Sequence, residues 1–222
     1  MPTGSEPTVL IVDSDIEVQK ALRQLMESVR LRVETYSTTQ AFIEGYDPSK
    51  AGCLILEVRM KGLSGIELFR RLRGEGNRLP VIFLTKHGDV PMAVELMREG
   101  AFHFQQKPYN DQQILDLTHA AIAFDARIRR QETERLAIVA RFESLSTRER
   151  EVLEGIAAGM TAKAMARQFG VATKTVEFHR ANVLKKVGVE NVTELVCLLL
   201  RSGYQAGGNP PSCKGHLSPQ AQ

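Results

Sequence analysis

The 222-residue chain lacks any apolar run long enough to span a bilayer. Its first residues, MPTGSEPT, also lack the basic segment and the apolar segment of a signal peptide. We therefore expect a cytoplasmic protein. Hydrophobic residues make up 43% of the chain and charged residues 25%, which is typical of a protein that buries a core. This length fits one large domain or two small ones.

Cysteine is scarce. The three cysteines, Cys53, Cys197 and Cys213, are far apart, and none lies in a CxxC motif or near a cysteine and histidine cluster. This pattern excludes a disulfide framework and a zinc site of the usual spacing. We expect Cys53 and Cys197 to be small core residues.

Charge of one sign is in excess only toward the C-terminus. Residues 1–143 carry 19 Lys and Arg against 20 Asp and Glu, a net charge of −1. Residues 144–206 carry 9 against 6, a net charge of +3. A basic C-terminal part beside a neutral N-terminal part is a weak indication of nucleic-acid binding.

Short apolar runs alternate with helical patterns from Thr8 to about residue 123. The runs lie near residues 8–12, 31–36, 53–57, 80–84 and 101–105. This alternation predicts an α/β fold, a doubly wound five-stranded parallel sheet. Four runs end on polar side chains, and such strand ends meet at one edge of an open sheet, where ligands bind. The four residues are Asp13, Glu57, Thr85 and Lys107.

The pattern after Pro108 is helical throughout. Neither glycine nor proline occurs from residue 110 to 154, and a narrow apolar stripe predicts one long helix that acts as a stiff linker. A solvated final helix followed by a loose linker, or a dimer seam, fits the same stripe. Ser146 and Glu149 form a capping-box pattern before the next helix. Thr161 and Thr173 are predicted N-caps of two further helices, and Gly170 and Gly188 end those helices.

A short helix, a tight turn and a basic helix form a helix-turn-helix pattern. A fourth helical pattern, NVTELVCLLLRSG, follows it. We therefore expect an all-α domain of four helices. The final residues, QAGGNPPSCKGHLSPQAQ, have the composition of a disordered tail.

Six stretches in the expected order resemble a two-component response regulator of the FixJ/NarL type. They are LIVDSD, RM-G-SGIEL, HGDVPMAVELMREGA, KP, LSTREREVLEGIAAGM and TAKAMARQFGVATKTVEFHRANVLKKVGV. The resemblance covers nearly the whole chain and implies a receiver domain and a LuxR-type helix-turn-helix domain. It divides the chain into a receiver, residues 1–123, a helical linker, 124–143, a DNA-binding domain, 144–206, and a disordered tail, 207–222.

In receivers of this type an aspartate at the end of the third strand accepts a phosphoryl group from a histidine kinase. The resemblance implies that an acidic pair binds Mg²⁺, and that a threonine and a lysine bind the phosphoryl oxygens. This chain has Glu57 at the acceptor position and Ser14 in place of the second acid, beside Asp13. Lys61 stands where proline is usual, and Lys86 where a small residue is usual. Phe104 stands at the switch aromatic position.

These departures predict a receiver regulated independently of phosphorylation. A longer acceptor and a lost carboxylate weaken phosphoryl transfer and leave at most a weak Mg²⁺ site at Asp13. Glu57 is instead expected to pair with Lys107 or Lys86, with Thr85 donating a hydrogen bond. That arrangement fits an active-like receiver and also a frozen inactive one. A conventional regulator phosphorylated on Glu57, and a receiver that serves as an interaction module, remain alternatives. No enzyme is expected.

The third helix of the C-terminal part is the predicted recognition helix for double-stranded DNA. Val176, Val183 and Val187 are expected to face inward. The residues expected to contact DNA are Lys174, Thr175, Glu177, Phe178, Arg180, Lys185 and Lys186. One such module binds weakly, so a homodimer on half-sites about 34 Å apart is expected. RNA polymerase, and a histidine kinase or another regulator, are the other expected partners.

Overall fold

The computed structural model describes residues 6–204. The predicted tail, residues 207–222, therefore lies outside the described residues. Over the described residues, no helix is both long enough and apolar enough to cross a membrane. The chain forms two compact units, one ending at Arg130 and one beginning at Gln131.

The N-terminal unit is the predicted five-stranded parallel sheet, in the order β2-β1-β3-β4-β5. The strands are Thr8–Val12 (β1), Arg32–Tyr36 (β2), Gly52–Leu56 (β3), Val81–Thr85 (β4) and His103–Gln106 (β5). The helices are Ile16–Ser28 (α1), Thr39–Gly45 (α2), Gly65–Gly74 (α3), Val90–Arg98 (α4) and Asp111–Glu143 (α5). The sequence patterns indicated all of these except the seven-residue α2.

The central strands β1, β3 and β4 are buried on both faces, and their side chains alternate between the two faces of the sheet. Leu10 and Val12 of β1 belong to one core cluster, and Val9 and Ile11 belong to the cluster on the other face. Residues of β3 divide in the same way. Val12 pairs with Leu56, so the residues that follow these two strands start side by side.

Helix α5 is continuous over 33 residues and bonds to the start of β3. The buried Asp125 carboxylate accepts a hydrogen bond from Gly52 N at 2.9 Å and one from Arg129 Nε at 2.8 Å. Arg129 also donates to the carbonyl oxygens of Ser49 and Lys50. These bonds hold the helix against the N-terminal unit beyond residue 123, the predicted end of the receiver.

The C-terminal unit packs four helices and the end of α5 around one core. The four helices are Thr147–Ala157 (α6), Ala162–Phe169 (α7), Thr173–Val187 (α8) and Val192–Ser202 (α9). Ser146 and Glu149 form the predicted capping box. Gly170 and Gly188 end α7 and α8 with φ of 66° and 77°, where glycine carries no Cβ penalty.

Two local predictions for this unit are wrong. The N-cap of α8 is Ala172, which has no side-chain oxygen, and Thr173 is the first helical residue. Cys197 is exposed on α9, whereas Cys53 is buried as predicted. An isolated cysteine was expected to be buried, but the helix turns Cys197 outward.

Candidate functional site

The carboxyl edge of the sheet brings Asp13, Glu57 and Lys107 into one buried cluster. The Lys107 ammonium nitrogen lies 2.6 Å from Asp13 Oδ2 and 2.9 Å from Glu57 Oε2. The three side chains are at most 8% exposed. Thr85, at the end of β4, is fully buried next to them in the sheet order. The four polar strand ends therefore meet at one edge, as expected for parallel strands.

Charge pairing in this cluster outweighs the cost of burial. Burial alone raises the pKa of Glu57, but hydrogen bonds from Thr85 and Lys107 bring that pKa below its usual value. Burial alone lowers the pKa of Lys107, but Asp13 and Glu57 bring that pKa above its usual value. Both groups are therefore charged around neutral pH.

Both oxygens of Glu57 have a hydrogen-bond donor. Oε2 accepts from Lys107, and Oε1 accepts from the backbone N–H of Arg59 at 3.3 Å. The Glu57 carboxylate thus lies between the Lys107 ammonium and the backbone that follows its own strand. Of the two lysines considered as partners of Glu57, the structure selects Lys107.

Lys86 pairs with a different carboxylate. Its ammonium nitrogen lies 3.2 Å from Asp15 Oδ2, and both side chains are well exposed, at 57% and 39%. Asp15 is also the N-cap of α1. The hydrogen bond from Lys86 holds the pKa of Asp15 below its usual value. Ser14 and Lys61 are exposed, and no hydrogen bond joins either side chain to the cluster.

The donor set fits Mg²⁺ poorly. Mg²⁺ prefers six oxygen ligands in near-octahedral geometry, usually including one or two free carboxylates. Here Asp13 and Glu57 both face the Lys107 ammonium, and the neighbouring Ser14 supplies no charge. Over the part of the chain that the structure describes, no group of three or more His, Cys, Asp or Glu side chains could hold a metal ion.

Phe104 packs against the loop that follows β4. A Cβ added to Gly88 would lie 2.4 Å from the Phe104 ring and 3.2 Å from the Thr85 methyl. The ring also lies 6.4 Å, centroid to centroid, from Phe83 in the core. The half-buried ring thus fills the space that the missing side chain of Gly88 leaves open.

Helix α8 presents the predicted face to solvent. Val176, Val183 and Val187 are buried as predicted. Exposed on the other side are Lys174, Thr175, Glu177, Phe178, Lys185 and Lys186, with Arg180 half-buried. Lys186 Nζ lies 2.7 Å from the buried Glu149 carboxylate, so this lysine fixes the start of α6 as well.

Sequence reasoning missed two exposed cations on α7. Lys163 and Arg167 are one helical turn apart, and neither has an ion-pair partner among residues 6–204. In helix-turn-helix domains the first helix of the motif crosses the DNA backbone. Their spacing of four in a short basic helix was the available signal.

Two family models match the chain. The model described as response regulator receiver domain matches residues 9–119. The model described as bacterial regulatory proteins, luxR family, matches residues 143–199. A five-stranded parallel sheet with a lysine and carboxylates at its carboxyl edge, followed by a helix-turn-helix unit, is the architecture of a response regulator.

Relatives match over both units. The transcriptional regulatory protein FixJ of Bradyrhizobium diazoefficiens is 36% identical over 88% of this chain and 95% of its own. The transcriptional regulatory protein TdiR of Thauera aromatica is 35% identical over 90% of this chain and 88% of its own length. The response regulator StyR superposes with a TM-score of 0.79 at 36% identity, covering 89% of this chain and 100% of that one.

The chain belongs to the FixJ/NarL-type response regulators, which join a receiver domain to a LuxR-type helix-turn-helix domain. It is a DNA-binding transcription regulator and not an enzyme. The predicted family and fold class are confirmed. The roles assigned to individual site residues stay predictions.

Proposed function

We propose that this regulator controls transcription in the cytoplasm without phosphorylation of Glu57. The observation that carries the proposal is the buried cluster in which Lys107 lies 2.6 Å from Asp13 and 2.9 Å from Glu57. Both carboxylates are engaged by one internal cation. A phosphorylating receiver needs carboxylates that hold a metal ion in addition to its lysine, and here Lys107 engages both buried carboxylates.

Glu57 is a poor phosphoryl acceptor in this arrangement. A nucleophilic oxygen must reach the phosphorus at about 3–3.5 Å with a free lone pair in line. In Glu57, the hydrogen bonds from Lys107 and from Arg59 N already engage one lone pair of each oxygen and fix where these oxygens lie. Glutamate is also longer than aspartate by one C–C bond, about 1.5 Å. A misplacement of 1 Å already costs on the order of 100-fold in rate.

The same contacts support a receiver that rests in the active-like state. Lys107 and the Thr85 hydroxyl are the groups that would bind phosphoryl oxygens. Lys107 donates to Glu57 Oε2, and the Thr85 hydroxyl helps to lower the pKa of the same carboxylate. The carboxylate thus takes the place of the phosphoryl group as their negatively charged partner. DNA binding that is equally strong with and without a phosphodonor is the expected behaviour.

A small-molecule phosphodonor with Mg²⁺, followed by intact-mass measurement, tests the proposal. We expect no phosphoryl adduct on the wild-type chain. The matched variant Glu57→Asp with Ser14→Asp restores the usual acidic set, and it is expected to gain an adduct. A stoichiometric adduct on the wild type that Glu57→Gln abolishes would establish the conventional regulator instead.

The C-terminal unit supplies the output. We propose that two chains bind one operator through half-sites about 34 Å apart, since a single module binds weakly. RNA polymerase is the proposed partner in transcription, and a histidine kinase or another regulator the proposed partner of the receiver surface. A footprint on one discrete promoter sequence supports this output, whereas kinase binding without any footprint would favour an interaction module.

A further inference from the structure

Phe178 is an exposed aromatic residue on the predicted recognition helix. The residue is 63% exposed, although burying a phenylalanine is favourable by about 1.5–3 kcal/mol. It is not a member of the apolar cluster that forms the core of the C-terminal unit. Its ring meets the ring of the neighbouring His179 edge-on, at 5.6 Å between centroids. Phe178 is therefore available to a partner.

The surroundings of Phe178 indicate which partner. Lys174 lies one turn before it on the same helix face, and Ala181 and Lys185 follow at helical spacing. Within residues 6–204, neither lysine has an ion-pair partner. Two unpaired cations flank the ring, and the small Ala181 leaves room beside it. Charge complementarity favours the polyanionic major groove of DNA over an apolar protein surface.

A phenyl ring in the major groove has one apolar feature to contact. Each base edge presents hydrogen-bond donors and acceptors there, and only thymine adds a methyl group, at C5. A phenyl ring can neither donate nor accept a conventional hydrogen bond. From its exposure and its position between Lys174 and Lys185, we infer that Phe178 packs on a thymine methyl and selects a T·A pair at one operator position.

The expected size of this effect is small and measurable. Burying one methyl group corresponds to about a 4-fold change in affinity. Lys185 is expected to contribute differently through a phosphate contact, because phosphate contacts strengthen binding to all sequences alike. The inference rests on the proposed DNA binding and adds a base preference to it.

The test begins with a duplex selected from a random library by the full-length protein. Each thymine is then replaced singly by deoxyuridine, which removes the methyl group and keeps the base pair. We expect one replacement per half-site to weaken wild-type binding about 4-fold per methyl contact. The variant Phe178→Ala is expected to bind the thymine duplex and the deoxyuridine duplex equally. The variant Phe178→Leu is expected to keep part of the preference for thymine.

Lys185→Ala is the matched control on the same helix. It is expected to weaken binding of both duplexes and to keep the preference for thymine. Wild-type indifference to every methyl group, or an unchanged preference in Phe178→Ala, would overturn the inference and leave DNA binding intact. Failure to enrich any duplex would instead overturn the proposed site-specific DNA binding, and this inference with it.

Discussion

Replacing Lys107 by methionine removes the cation that lies between Asp13 and Glu57 and keeps a side chain of similar length. Each ion pair, at 2.6 and 2.9 Å, has a gross attraction of about 6 kcal/mol at an effective dielectric constant of 20. Desolvation offsets much of that attraction. Removing one partner of a buried pair costs about 3–5 kcal/mol, because the remaining charge is left buried and unpaired.

In this variant we expect the cluster to add a pH dependence of stability between pH 5 and 7 that it does not cause in the wild type. In the wild type the lowered pKa of Glu57 gives stability that is present above the unfolded value of 4.5 and is lost as the pH falls through the folded value. The raised pKa of Lys107 gives stability below 10.5 that is lost as the pH rises through the folded value. The wild-type cluster therefore stabilises the fold across the neutral range.

Without Lys107, two buried carboxylates repel each other, and the folded pKa of at least one of them rises. The folded state then binds more protons than the unfolded state, so the free energy of unfolding rises as the pH falls from 7 to 5. Urea unfolding of the full-length chain, followed by circular dichroism at several pH values, measures this slope.

The control for this experiment is the double variant Lys107→Met with Glu57→Gln, in which one of the two unpaired charges is also gone. We expect it to recover part of the lost stability and to show a flatter pH profile. A Lys107→Met protein that unfolds at the wild-type urea concentration at pH 7 would refute the proposed role of the cluster.

Three further predictions concern other contacts. Gly88→Ala places a methyl group 2.4 Å from the Phe104 ring and should destabilise the N-terminal unit by about 1–3 kcal/mol. In a urea melt, the same change made in a Phe104→Leu background should cost nothing, which would locate the clash at the ring. Glu149→Gln weakens the bonds to Ser146 N and to Lys186, so the C-terminal unit should lose about 1 kcal/mol at pH 7. The hydrogen bond from Lys186 is the main cause of the lowered Glu149 pKa. The stability lost in Glu149→Gln should therefore shrink as the pH falls below 4.5, and a loss that does not change with pH would contradict this account. Lys185→Ala should lower the slope of log affinity against log salt by about 1, and an unchanged slope in a titration of labelled duplex would argue against a phosphate contact.

Local sequence signals predicted most of the fold. Short apolar runs located the five strands, and Ser146 with Glu149 predicted the start of α6, since a capping box depends on residues three apart. The short α2 was missed because its seven residues carry too few periodic positions. The predicted cap at Thr173 failed because a neighbouring residue, Ala172, takes the N-cap backbone conformation.

The site was predictable in its members and less so in its pairings. The sequence placed Asp13, Glu57 and Lys107 at one edge but left Glu57 between two candidate lysines. It gave no sign that Lys186, predicted to contact DNA, also pairs with the buried Glu149. Both pairings depend on distances between helices or strands, which no local pattern encodes.

The sequence by itself determined the order of strands and helices, and which polar side chains end the strands. Only the tertiary structure decided that Lys107 bonds to both Asp13 and Glu57 while Lys86 bonds to Asp15. Lys107 is 94 positions from Asp13 and 50 positions from Glu57 along the chain. Strand order and register bring Lys107 within 3 Å of both carboxylates, and burial strengthens the attraction between the charges.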